Sequence, residues 1–183
     1  MDNIKKTNSA QVAFKWTLIY VVTSIVLIYV YQFLNISVLS PIRYITNIPF
    51  IAFMFLAQKE RRDELGGFIT FGDGFVTGLL YAVFAGILIS IFTYIYYAIL
   101  SPQVWQQFLD LEREALNQKN LSDDQIDAGL KFAGNVVFTS IGVLIGTPII
   151  GAIISLIGAA IFKKEKSILD IERDASNYSD PVS

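Results

Sequence analysis

Apolar residues fall along this chain in four long blocks, and the charged residues crowd between them. The blocks run at about 16–34, 38–57, 74–100 and 135–162. At about 1.5 Å of rise per residue, a helix over the third block is about 40 Å long, more than the roughly 30 Å of bilayer hydrocarbon. The pattern predicts an all-α membrane protein: four transmembrane helices in a single domain spanning 1–183, with an extramembrane helical hairpin between the third and fourth. The first block is free of charge and carries Trp16, Tyr29 and Tyr31 near its ends, where interfacial aromatics belong. The second has Arg43 in its first turns, within snorkelling reach of the headgroups, and Pro49 in its middle, where a kink is expected. The third and fourth contain no charged side chain, and Pro148 interrupts the fourth.

Between the third and fourth blocks, 101–134 reads as two helices. Ser101 and Pro102 suit the N-cap and first helical positions, and Val104, Phe108, Leu111 and Ala115 make one stripe beside Trp105, Leu109 and Leu116. Ser122-Asp123-Asp124-Gln125 is a capping box, with Leu121 and Ile126 as its hydrophobic staple. Six acids (Asp110, Glu112, Glu114, Asp123, Asp124, Asp127) crowd this excursion, without the spacing of a calcium loop. They suit a docking surface or cation vestibule, but a solvated αα-hairpin accounts for them more simply. The tail, 170–183, is expected to be disordered.

The third block has a second pattern inside it. Gly78, Ala82, Gly86 and Ser90 recur every fourth residue, so a helix lines them up as one groove of minimal side chains. Gly142, Gly146 and Gly151 give the fourth block small positions too, including a Gly-x-x-x-Gly pair. Such faces serve a homo-oligomer, a partner's helix, or the packing of the third span on the fourth within one chain; the last is the simplest.

Charge adds direction. Lys5, Lys6 and Lys15 precede the first span, Lys59, Arg61 and Arg62 follow the second, and Lys163, Lys164, Lys166 and Arg173 follow the fourth. Only Arg43, Arg113, Lys119 and Lys131 fall on the other side. Because basic loops stay inside, an even number of spans with both termini cytoplasmic satisfies every connection, and the excursion is then periplasmic. Lys163, Lys164 and Lys166 also suit anionic membrane lipids as partners. The first span follows a basic start, but it is longer than a signal-peptide core and lacks a small-x-small cleavage site, so it reads as an uncleaved anchor.

Composition mainly excludes. The 183 residues include no cysteine and no histidine, which removes disulfides, Cys/His zinc sites and His-dependent nucleophile pairs. A net charge of −2 removes a globally basic nucleic-acid binder. No cofactor or metal site is expected. The connection from Gln58 to Gly74 is glycine-rich but lacks the Gly-Lys-Ser/Thr ending of a phosphate loop; Gly66-Gly67 reads as a helix break and Thr70 with Asp73 as the next cap. Asp63, Glu64 and Asp73 are the carboxylates grouped at the cytoplasmic face, and any enzymatic chemistry would have to use them. Proton or ion relays place charges well inside the membrane, and none lies there.

The segment Arg62-Asp-Glu-Leu-Gly-Gly-Phe-Ile-Thr-Phe-Gly72, the run Ser90-Ile-Phe-Thr-Tyr-Ile-Tyr-Tyr97, the acidic hairpin and the closing Ile161-Phe-Lys-Lys-Glu-Lys166 together resemble the domain of unknown function 4199 family. That resemblance implies a small four-span protein of the bacterial inner membrane, of a kind found mainly in Bacteroidota. It implies no activity and transfers no site residue. The expectation is therefore a non-enzymatic accessory or scaffold subunit acting through helix association, with homo-oligomer or another membrane protein as partner; the alternative is a small permeation or lipid-handling protein.

Overall fold

A computed structural model describes residues 8–167, apart from Val38, Leu39 and Asn120; the side chains of Arg43, Phe132 and Ala133 are also outside the description. The predicted tail and the basic residues Lys5, Lys6 and Arg173 lie outside the described residues. Six α-helices and no strand occur among the described residues.

The first helix, α1, covers Ser9–Phe33. It starts ahead of the apolar block because Asn8 and Gln11 form a reciprocal capping box, each side chain accepting from the other's backbone N–H. It ends in a Schellman turn: Ile36 N–H reaches Tyr31 O and Asn35 N–H reaches Gln32 O, with Asn35 at φ 53°. A 3₁₀ turn at Pro41–Thr46 leads into α2, Asn47–Glu64. Here the expected kink is corrected. Pro49 sits in the first turn of α2 rather than mid-helix, where its missing N–H is one of those with no helical partner anyway, so no kink is required. The helix also runs past Ala57 through six charged residues, since Lys59 and Asp63 pair one turn apart and hydropathy alone does not end a helix.

Gly66 and Gly67, at φ +79° and +86°, close α2 with a second Schellman turn in which Gly66 N–H meets Asp63 O and Gly67 N–H meets Arg62 O. Thr70 then caps α3, Phe71–Ile95, its hydroxyl accepting from Asp73 N–H at 3.1 Å. Replacing Thr70 with Ala should destabilise the protein by about 1 kcal/mol, read as a small drop in melting temperature of the detergent-solubilised chain. A π-helical turn at Tyr96–Leu100 extends α3. Helices α4, Pro102–Asn117, and α5, Asp123–Ala133, follow, and α6 covers Val136–Phe162. The reciprocal bonds of Ser122 and Gln125 cap α5.

Among the described residues, three stretches are long and apolar enough to cross a bilayer: α1, the 30 residues Phe71–Leu100, and α6. By that measure α2 does not qualify, being 18 residues with a charged final third. It nevertheless packs as a full member of an up-down-up-down bundle. Lys15 at the start of α1 pairs with Glu60 at the end of α2, while Tyr31 and Thr46 meet at the opposite end. Along α3 and α6, Gly74 faces Ala159 and Ser90 meets Ser140, so those helices are antiparallel. Tyr20, Phe50, Met54, Tyr81, Ala82 and Ala85 fill the middle.

Candidate functional site

The α3–α6 seam shows what the small residues do. An added methyl at Gly78 would overlap Ser155 Oγ and lie 2.7 Å from Gln58 Nε2. One at Gly86 would stand 3.0 Å from Pro148 Cδ and 3.2 Å from Leu144 O, the carbonyl that Pro148 cannot hydrogen-bond. At Gly151 it would overlap the Ala82 methyl. Ser90 Oγ donates to Ser140 O at 2.8 Å and completes the row. The face that α6 gives to this seam is therefore Ser140, Leu144, Pro148, Gly151, Ser155 and Ala159, at helical spacing.

Gly142 and Gly146 are not in it, so the intrachain packing that is the simplest reading of their spacing does not use them. Both have open space where a side chain would stand, because they lie two residues out of step with Ser140 and Leu144, roughly 200° around the helix.

At one end of the seam three helices meet on a buried amide. Gln58, fully buried, donates from Nε2 to Gly74 O and Ser155 O, each at 3.0 Å, with Ser155 Oγ at 3.2 Å. Ser155 Oγ in turn donates to Phe75 O at 2.8 Å. The Gln58 Oε1 has no hydrogen-bond partner and lies against Gly158, where a Cβ would overlap it. Sequence reading missed Gln58 because a lone glutamine before a charged run looks like surface.

The basic clusters gather at this same end. Trp16 Nε1 donates to Glu60 at 2.8 Å beside the Lys15 pair. Lys59 and Arg62 hold the Asp63 carboxyl below its ordinary range, the Lys59 hydrogen bond being the main cause. Glu64 pairs with Arg61 at 3.6 Å. Asp73 accepts from the Thr70 hydroxyl at 2.8 Å. Asp63 and Glu64 line a shallow hollow of about 510 Å³ with Trp16, whereas Asp73 lines a separate one with Phe68 and Lys164. The structure thus does not bring the three candidate carboxylates together. Each already serves an ion pair or a cap, and the exposed Lys59–Asp63 pair is worth under about 1 kcal/mol. Among the described residues no group of three Asp or Glu is placed to hold a metal ion.

The opposite end holds a cleft of about 550 Å³ that sequence reading did not identify. It opens between the Schellman turn of α1, the π turn and one face of α4. Gln32, Asn35, Gln103, Gln107, Asp110 and Tyr96 supply its polar groups. Tyr96 is held from both sides: its hydroxyl donates to Gln32 Oε1 at 3.3 Å, and its backbone carbonyl accepts from Ser101 N–H at 2.7 Å, closing the π turn. Such turns recur at functional sites. The only hint in the sequence is the helical spacing of Gln103, Gln107 and Asp110.

A family model described as a protein of unknown function (DUF4199) matches residues 13–164. No curated protein and no solved structure matches the chain.

Proposed function

The chain belongs to the DUF4199 family, and on that premise we propose that it is a four-pass protein of the bacterial inner membrane that acts, without catalysis, as an accessory or scaffold subunit through helix association. The fourth crossing is assigned to the Pro41–Thr46 turn and the apolar part of α2. Six 3₁₀ residues and eleven α-helical ones rise about 28 Å, close to the hydrocarbon thickness, and α2 runs antiparallel to α1 beside it. Lys15, Lys59, Arg61, Arg62, Lys163 and Lys164 all lie at one end of the bundle, which supports placing that end, and both termini, in the cytoplasm. There Lys164 and Lys166, stacked over Phe68, meet anionic headgroups at about 1 kcal/mol per basic residue.

One observation carries the association reading. With α3 occupying the Ser140–Ala159 face, α6 still offers Gly142 and Gly146 in open space, beside exposed Ile145, Ile149 and Ile153. Lipid covers such a face adequately, but a second helix packs on it more closely than on any branched one. The packed middle, with Met54 and Tyr81 fully buried, weighs against a pore along the bundle axis. The chain has no native cysteine, so single cysteines test the reading cleanly. Gly142→Cys should cross-link, to a second copy or to a partner, in native membranes, whereas Val76→Cys on the exposed side of α3 should not. A monomer in both cases, with nothing co-purifying, would remove the association role.

A further inference from the structure

The amide-lined cleft has the size that small-molecule sites commonly have, about 300–1,000 Å³. Its polar lining is mostly carboxamide. Gln32, Asn35, Gln103 and Gln107 each present a donor and an acceptor on one planar group, Ser37 and Tyr96 add hydroxyls, and among the described residues no lysine or arginine lines the space. Asp110 is the one charged group among them. Against this described lining a phosphate or carboxylate ligand would meet no cation and would face Asp110. A bare metal ion would find a single carboxylate. The ligand group that matches a carboxamide at both ends is a hydroxyl, itself a donor and an acceptor. Ile36, Val104 and Leu111 add apolar surface among them, which suits the C–H groups of a sugar ring.

Asn35 adds an independent point. Its backbone sits at φ 53°, and glycine is the ordinary residue at that position of a Schellman turn. Asparagine is the next most tolerant choice there, and unlike glycine it brings a carboxamide to the cleft. On α4, Gln103, Gln107 and Asp110 fall on one face, so the turn and the helix present polar groups from two sides.

We propose that this cleft binds a neutral polyhydroxylated ligand, a saccharide of one or two rings, through the carboxamides of Gln32, Asn35, Gln103 and Gln107. The site is separate from the α6 face, so it stands whether or not that face associates.

The full chain in nanodiscs would be examined by saturation-transfer NMR with maltose and N,N′-diacetylchitobiose as neutral probes. Spermidine and inorganic phosphate serve as the cationic and anionic ones. Saturation transfer to at least one sugar is expected, with affinity falling about tenfold, the equivalent of one good hydrogen bond, in both Asn35→Gly and Gln107→Ala. Asn35→Gly keeps the left-handed turn and so should keep the wild-type melting temperature, which separates loss of binding from loss of fold. No transfer to either sugar overturns the proposal, as does sugar binding that is indifferent to both substitutions. Displacement of the sugars by spermidine also overturns it, since that would make Asp110, not the amides, the recognition element.

Discussion

Gly78→Leu should remove a large share of the stability of this bundle, while Gly142→Leu, on the same kind of sequence motif, should do almost nothing. At Gly78 even one added carbon overlaps Ser155 Oγ and crowds Gln58 Nε2. A leucine there forces α3 and α6 apart, an overpacking that costs about 1–3 kcal/mol. The same displacement pulls the Gln58 amide off its two carbonyls, and losing buried hydrogen bonds adds about 1–3 kcal/mol. Against a total stability on the order of 5–15 kcal/mol, that is a large share. At roughly 2–4 °C per kcal/mol for a chain of this size, the melting temperature should fall by about 10 °C. Gly142 has open space in place of neighbours, so its substitution should stay within about 0.5 kcal/mol. Thermal unfolding of both variants in detergent, followed by tryptophan fluorescence, decides the matter. Equal melting temperatures would mean that the seam is not where the structure puts it.

Gln58→Glu should be at least as damaging, although it changes one NH₂ to an oxygen. Nε2 points its hydrogens at Gly74 O and Ser155 O, and a carboxylate would set a negative acceptor against both. No cation is hydrogen-bonded to that position, and an uncompensated buried charge costs about 3–5 kcal/mol. Gln58→Met keeps the volume and adds no charge. It loses the hydrogen bonds but also removes the unpartnered Oε1, so its cost should be nearer 1–2 kcal/mol. The ordering is the test: wild type above Met above Glu in melting temperature and in monodisperse yield. If Glu were tolerated better than Met, water would have to reach this amide and the tight three-helix contact would be wrong.

The α3 side of the seam was legible in the sequence because nothing else explains a four-residue period of Gly, Ala, Gly and Ser in an uncharged helix. The α6 side was not. Its helix carries small residues on several faces, so a Gly-x-x-x-Gly pair is satisfied by spacing alone, and only the position of α3 decides that Gly151 and Ser155 pack while Gly142 and Gly146 do not. The second helix differs from its apolar block for another reason. Hydropathy marks where the apolar residues stop, at Ala57, but the chain stays helical to Glu64 on its own ion pairs. The cleft was invisible because its parts are remote in sequence. Gln32 and Asn35 end one helix, Tyr96 belongs to a π turn, and Gln103 to Asp110 begin another.

Pro148 seated against Gly86 has one more consequence. A proline ring fits closely opposite a glycine, and a slip of one turn either way would set it on Ala82 or Ser90. The two helices are thus keyed to a single alignment from within, like a tooth in its notch. The segment that joins them, α4 and α5, is relieved of any duty to set their register, and evolution or an engineer is free to shorten, lengthen or exchange its distal part without moving the bundle.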